Sequence, residues 1–289
     1  MATPLTPAFD AEQFDFVLSS GIALRGYLGE ARGGVPLVLL HSINAAPTAI
    51  EMFPLFQHYR SSRKVWAPDL PGFGISDREP LPYSSSLYAR WLAEWLKTFD
   101  EAPDVVALSL TGEFVARAVL EYGVEIRSLT LISPTGMGKD ISSGIAIGSW
   151  VDRFVASTWL GSPLFRLLTG KLSIRWFLGQ SFVDAPAREL IDYAWETARQ
   201  PGAHWAPLKF LTFGMFTEQA ISRLYSRLEM PCLIIYDRDP NISFERLPQL
   251  LESSSFWIAE RLAPSLGLPH WELTSETIAS LEKFWTASK

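Results

Sequence analysis

The chain has 289 residues, 48% of them hydrophobic and 19% charged, with a net charge of -6. That apolar content can bury a large core and excludes a disordered chain. The acidic balance argues against a nucleic-acid partner, which needs a basic face to displace counterions. The single cysteine, Cys232, excludes an internal disulfide and fits a reducing compartment.

The opening residues 1–7 have no basic n-region and no long apolar stretch, so no signal peptide is expected. Apolar runs such as the one around Trp150 are interrupted by Asp152 and Arg153, so no membrane span is expected. The expectation is a cytoplasmic protein.

Short apolar runs alternate with helical periodicity. This predicts an α/β protein with a mostly parallel central sheet flanked by helices. Strands are expected over 14–18 and 22–28, around the turn Ser19-Ser20-Gly21, and over 36–41. A helix is expected over 46–59, then a strand over 64–70 closed by Pro71-Gly72, and a helix over 87–99. A strand over 105–109 runs directly into a helix over 112–122, and another strand follows over 126–133.

The alternation then stops. From 135 to 220 the pattern is helical and aromatic, with Trp150, Phe154, Trp159, Phe165, Trp176, Phe177, Phe182, Trp195, Trp205, Phe210 and Phe213. Strand character returns over 232–236, then a helix over 245–251, a strand over 256–262 and a helix over 272–285. The expected organisation is a core domain of residues 1–134 and 221–289, with a helical cap of residues 135–220 inserted between two strands. Active sites of open α/β sheets lie beyond the carboxyl ends of the strands, so an insertion leaving that edge can roof a site.

The strand-to-helix junction Val105-Val106-Ala107-Leu108-Ser109-Leu110-Thr111-Gly112 is the most informative stretch. A serine on such a turn is held in strained geometry and pushed into a cleft, the arrangement called the nucleophile elbow. A serine hydroxyl needs a base in reach and a third group to orient that base. Of four histidines, His270 lies in a loop between the last strand and the last helix, on the same sheet edge as Ser109. Asp239 lies just past an apolar strand, in Tyr236-Asp237-Arg238-Asp239-Pro240. The order Ser109, Asp239, His270 is the one expected when an elbow serine sits mid-sheet. Singly, each residue has a bland reading: a buried serine, a turn aspartate before proline, a helix-entry histidine. The three together at strand ends point to acyl transfer through serine.

The oxyanion of such a reaction needs backbone donors. Leu110 and Ile43 are the candidates, the second from the loop His41-Ser42-Ile43-Asn44. His41, at the strand end before that loop, reads as a bracing residue rather than a base. A calcium loop at Asp237–Asn241 fails at its glycine and twelfth positions, held by Ile242 and Pro248. No phosphate loop, dinucleotide fingerprint or metal-ligand spacing stands out, and no cofactor or metal is expected.

These residues together resemble the α/β-hydrolase superfamily. Leu39-Leu40-His41-Ser42 is similar to its His-Gly oxyanion motif, and Asp69-Leu70-Pro71-Gly72-Phe73-Gly74-Ile75-Ser76 closely matches its Asp-x-Pro-Gly-x-Gly-x-Ser loop. Ala107–Gly112 is the elbow, Tyr236–Pro240 resembles the acid loop, and Gly267–Glu272 resembles the histidine loop. The resemblance implies that fold and a Ser109–His270–Asp239 mechanism. Three residues depart from its pattern: Ser42 and Thr111 replace glycines, and Asp237 occupies the acid-loop glycine position, where it competes with Asp239 as orienting acid. Relatives with dehalogenase or epoxide-hydrolase chemistry carry aspartate at the elbow, so Ser109 implies an acyl-serine route.

The expected function is hydrolysis of a carboxylic ester or thioester of a small apolar substrate. Acyl transfer or C–C bond hydrolysis on the same trio, or a hydrolase fold reused as a binding module, are the alternatives.

Overall fold

A computed structural model of the chain describes residues 5–138, 161–211 and 214–288. Eight strands form one sheet: β1 (Glu12–Val17), β2 (Ala23–Leu28), β3 (Leu37–Leu40), β4 (Val65–Asp69), β5 (Asp104–Leu108), β6 (Ser128–Ile132), β7 (Cys232–Tyr236) and β8 (Trp257–Arg261). Their spatial order is β1-β2-β4-β3-β5-β6-β7-β8. The β1–β2 and β2–β4 pairs are antiparallel, and every pairing from β4 to β8 is parallel.

The central strands are buried on both faces, and their sequences follow from that. β3 is Leu37-Val38-Leu39-Leu40 and β5 is Asp104-Val105-Val106-Ala107-Leu108, with every residue buried. Such continuous apolar runs are what a parallel sheet covered by helices requires. Alternate residues feed two cores. Val38, Leu40, Val105 and Ala107 face one side with Trp91, Trp95 and Phe114. Leu37, Leu39, Val106 and Leu108 face the other with Phe56, Phe284 and Trp285.

The helices lie where the periodicity places them. They are α1 (Phe53–Tyr59), α2 (Ser85–Leu96), α3 (Thr111–Tyr122), α4 (Gly161–Leu168), α5 (Lys171–Gly179), α6 (Arg188–Ala198), α7 (Trp205–Leu211), α8 (Ala220–Arg223), α9 (Leu247–Ser253), α10 (Pro269–Glu272) and α11 (Thr274–Ala287). The expected helix over 46–59 divides into a 3-10 turn, Ala49–Met52, and α1. Pro54 sits in the first turn of α1, where its missing N–H costs nothing. The closing helix α11 begins two residues later than its periodicity suggested, and a separate short helix, α10, opened by Pro269, carries His270 ahead of it.

Helices α4 to α8 fall between β6 and β7 in the chain. Leu190 and Tyr193 of α6 pack into the same core as Tyr27 and Phe56, and Ala206 of α7 packs with Tyr83 and Phe73. Trp150, Phe154, Trp159 and Phe213, part of the expected aromatic cap, lie outside the described residues. Among the described residues no helix is long and apolar enough to cross a membrane.

The sheet order sets the site. From β3 the chain passes to β4 on one side, then to β5 on the other. The loops leaving the carboxyl ends of β3 and β5 therefore diverge and open a crevice, the usual ligand position in such sheets.

Candidate active site

Ser109 stands at that crevice, the first of the two residues between β5 and α3. Its backbone is left-handed, with φ at 56°, a conformation that costs an L-residue with a side chain roughly 1–2 kcal/mol. Packing holds it there. The Ser109 N–H donates to the Ile132 carbonyl at 2.9 Å, continuing the ladder to β6, while its own carbonyl accepts from Gly112 N at 3.3 Å to begin the helix. The hydroxyl belongs to a half-buried residue beside buried Leu108 and Leu110. Ser133, at the end of neighbouring β6, is also left-handed, with φ at 44°. Strain of this kind concentrates at functional edges.

Strand and helix approach most closely at Gly112. A Cβ there would lie 2.6 Å from Leu131 Cδ2. The glycine the crossing needs is thus one residue later than Thr111. Thr111 itself is fully buried, and its hydroxyl donates to the His41 carbonyl at 2.6 Å. The residue that breaks the motif ties the elbow helix to the end of β3.

His41 is also fully buried. Its Nε2 accepts from Leu70 N at 2.9 Å, so its Nδ1 carries the proton and donates to the Ser42 carbonyl at 2.6 Å. Burial lowers its pKa to about 4, so the ring is neutral near pH 7. With both nitrogens engaged by backbone, it braces the β3 loop against the β4 loop.

Glu51, in the 3-10 turn, organises the rest of that loop. Its Oε2 accepts from Ser42 N at 2.8 Å, and its Oε1 accepts from Ser42 Oγ at 3.1 Å and from Asn44 Nδ2 at 2.7 Å. Burial pushes its pKa up to about 7 against these hydrogen bonds, which favour the charged form. Ser42 N is consumed by this contact. Among the described residues the Ile43 and Leu110 N–H groups make no hydrogen bond, so both can serve an oxyanion.

Asp69, at the end of β4, fixes the turn that bears Glu51. Its Oδ1 accepts from Ala49 N at 2.7 Å and its Oδ2 from Ile75 N at 2.9 Å. Gly74, with φ at 50°, passes so near that a Cβ would lie 1.8 Å from Asp69 Cγ. The Asp-x-Pro-Gly-x-Gly-x-Ser loop is therefore a frame for the crevice. Burial raises Asp69 to about 6.

His270 is fully buried in α10, with its pKa lowered to about 4 by burial. Its Nε2 meets the Glu51 carbonyl at 2.7 Å. A carbonyl only accepts, so Nε2 carries the proton and Nδ1 presents a lone pair. That Nδ1 is buried and has no hydrogen-bond partner. Trp271 Nε1 donates to the same carbonyl at 2.7 Å.

The two acid-loop aspartates differ sharply. Asp237 is buried and occupied: Oδ1 accepts from Arg261 Nε at 2.7 Å and Oδ2 from Ser265 N at 3.0 Å. Those contacts hold its pKa below the ordinary value although burial opposes them. Asp239 uses Oδ1 to accept from Asn241 N at 2.7 Å and Ile242 N at 3.2 Å. Its Oδ2 lies 2.7 Å from where a Cβ on Gly267 would stand, three residues before His270. Burial raises its pKa. An open cleft of about 560 Å³ runs along this loop, lined by Tyr236, Asp239, Ile242, Phe244 and Arg261 among others.

Ser109, Asp239 and His270 thus lie beyond the carboxyl ends of β5, β7 and β8, but no hydrogen bond joins any two of them among the described residues. The contacts present are His41 to Thr111, Ser42 to Glu51 and Glu51 to His270. Glu51 escaped the motif reading, and Asp69 enters it only as part of the Asp-x-Pro-Gly-x-Gly-x-Ser loop, without a role. A lone carboxylate inside the apolar run Ala49-Ile50-Glu51-Met52-Phe53 was the available signal, because a buried charge requires partners. Among the described residues no group of three or more His, Cys, Asp or Glu could hold a metal ion.

A profile of the alpha/beta hydrolase family matches residues 37–276. The chain is 25% identical over 240 residues to a 2-hydroxymuconate semialdehyde hydrolase of Pseudomonas sp. (strain CF600), covering 78% of this chain and 77% of that protein. Its fold is similar to that of a haloalkane dehalogenase, DatA, from Agrobacterium tumefaciens C58, with a TM-score of 0.75, 17% identity and coverage of 99% and 100% of the two chains. A putative aryl esterase from Burkholderia cenocepacia superposes with a TM-score of 0.74 at 18% identity, covering 96% and 99%.

Proposed function

This chain belongs to the alpha/beta hydrolase family, and on that premise we propose that it is a serine hydrolase cleaving a carboxylic ester or thioester. The observation that carries the reading is Ser109 itself, a non-glycine residue at φ 56° on a strand-to-helix turn, followed at once by the Leu110 N–H, unpartnered among the described residues. Such strain persists only where the surroundings enforce it.

In this mechanism Ser109 Oγ attacks the acyl carbon as His270 takes its proton. The Leu110 and Ile43 N–H groups stabilise the oxyanion. His270 then protonates the leaving group, and water releases the acid by the reverse sequence. Asp239 orients the imidazole. Asp237 is the weaker candidate for that role, because Arg261 and Ser265 hold both its oxygens. The unpartnered Nδ1 of His270 is the position an orienting carboxylate would take. The reaction then requires the other imidazole tautomer: His270 releases the Glu51 carbonyl and its proton passes from Nε2 to Nδ1, so that Nδ1–H faces Asp239 and the Nε2 lone pair faces Ser109.

The test is covalent labelling with a fluorophosphonate probe. Native protein is expected to label and Ser109→Ala to remain unlabelled with unchanged thermal unfolding. Equal labelling of both removes Ser109 from the mechanism.

A second reading uses the same residues to hydrolyse a C–C bond in a dicarbonyl compound. It is favoured by the Pseudomonas relative, whose named substrate contains no ester. Product analysis separates the two: turnover of p-nitrophenyl butyrate alone supports the ester reading, and turnover of an unsaturated semialdehyde alone supports the other.

A further inference from the structure

Glu51 hydrogen-bonds both the β3 loop and the histidine turn through its own atoms. Its carboxylate accepts the three hydrogen bonds from Ser42 and Asn44. Its backbone carbonyl accepts from His270 Nε2 and Trp271 Nε1. The side chain and main chain of one residue therefore face two parts of the machinery that are remote in sequence.

Both ends are tightly held. Asn44 is itself locked, its Nδ2 donating to Ser42 Oγ at 2.8 Å and its Oδ1 accepting from Ala46 N at 2.8 Å. Glu51 N donates to the Thr48 carbonyl at 3.0 Å, and the turn is pinned to β4 through Ala49 N and Asp69. Trp271 stacks on Phe53, two residues beyond Glu51, with ring centroids 6.2 Å apart. A buried carboxylate is costly unless its acceptor sites are filled, and here donors from the β3 loop fill them.

We propose that Glu51 is a positioning residue that couples the oxyanion loop to the turn carrying His270, so that in the resting site the Ile43 N–H and the imidazole are held in register until His270 turns to Ser109. It acts through these groups and does not touch the substrate. Its carboxylate directs Ser42 N inward, away from the crevice, and leaves Ile43 N as the loop donor. Its carbonyl sets which nitrogen of His270 carries the proton before reaction. The proposal rests on the serine-hydrolase reading of Ser109 and His270.

The experiment compares native protein with Glu51→Ala and Glu51→Gln. It measures the rate of fluorophosphonate labelling, kcat and KM on p-nitrophenyl butyrate, and the long-range ¹⁵N–¹H spectrum of the imidazoles. A misplaced donor and base cost transition-state stabilisation rather than ground-state binding, so Glu51→Ala should lower kcat and labelling about tenfold or more with KM nearly unchanged. Glu51→Gln keeps one acceptor oxygen and should recover part of the loss. The His270 signal should change its protonation pattern in Glu51→Ala. If Glu51→Ala does not fold, Glu51→Gln decides alone. Labelling and kcat of the folded variants within about twofold of native, with the His270 signal unmoved, would overturn the proposal while leaving the serine reading intact. Native protein that is not labelled at all overturns the serine reading and this proposal with it.

Discussion

At the scale of single residues, the conformation of Ser109 makes a prediction that separates strain from chemistry. Its left-handed backbone is natural for glycine and costly for any residue with a Cβ. Ser109→Gly should unfold at a higher denaturant concentration than Ser109→Ala, by about 1 kcal/mol, while neither variant labels with the probe. Equal stability of the two would mean that the turn relaxes when the serine is gone. The same scale explains what the sequence hid. Ser109, Asp239 and His270 stand out because each sits at a strand end in a fixed order. Glu51 does not, because its role depends on three donors brought to it by the fold of a different loop. Asp237 and Asp239 are adjacent alternatives in sequence, and only Arg261 and Ser265, on the next strand and loop, distinguish them.

At the scale of elements, Thr111 joins the first residue of α3 to the end of β3 through the His41 carbonyl. Thr111→Val keeps the shape and loses the hydroxyl. It should cost about 1–2 kcal/mol by urea unfolding, and Thr111→Ser, which retains the hydrogen bond, should cost less. A Thr111→Val variant as stable as native protein would show that the bond contributes no net stability. The strands themselves were plain in the sequence, since runs such as Leu37–Leu40 and Cys232–Tyr236 are continuously apolar and bounded by turn residues. Helix ends were less plain. The 3-10 turn at Ala49–Met52 exists because Asp69 takes Ala49 N, and a local apolar period carries no trace of that tertiary contact.

At the scale of the whole molecule, four buried titratable groups at the crevice set opposing pH dependences. The folded protein holds protons on Glu51 up to about pH 7 and on Asp69 up to about pH 6, where their ordinary values are 4.5 and 3.8. Across those windows the unfolded chain binds fewer protons, so these two acids lower stability as pH rises. His41 and His270 fall from 6.5 to about 4. Between those values the unfolded chain binds more protons, so the imidazoles raise stability with pH. Glu51→Gln removes one falling contribution. Its stability relative to native should therefore increase from about pH 4.5 to 7, with a slope on the order of 1 kcal/mol per pH unit. Chemical denaturation at both ends of that window measures it, and a difference that does not vary with pH contradicts the buried carboxylate. The pairing of β6 with β7 has a separate consequence. Leu129 lies opposite Cys232, so the chain leaves the sheet and returns to the adjacent strand position after roughly a hundred residues. Closing such an excursion is an entropic cost that grows only with the logarithm of its length, about 0.6 kcal/mol for each doubling. The length of what lies between these two strands can therefore change at little closure cost, while the elbow and its frame stay as they are.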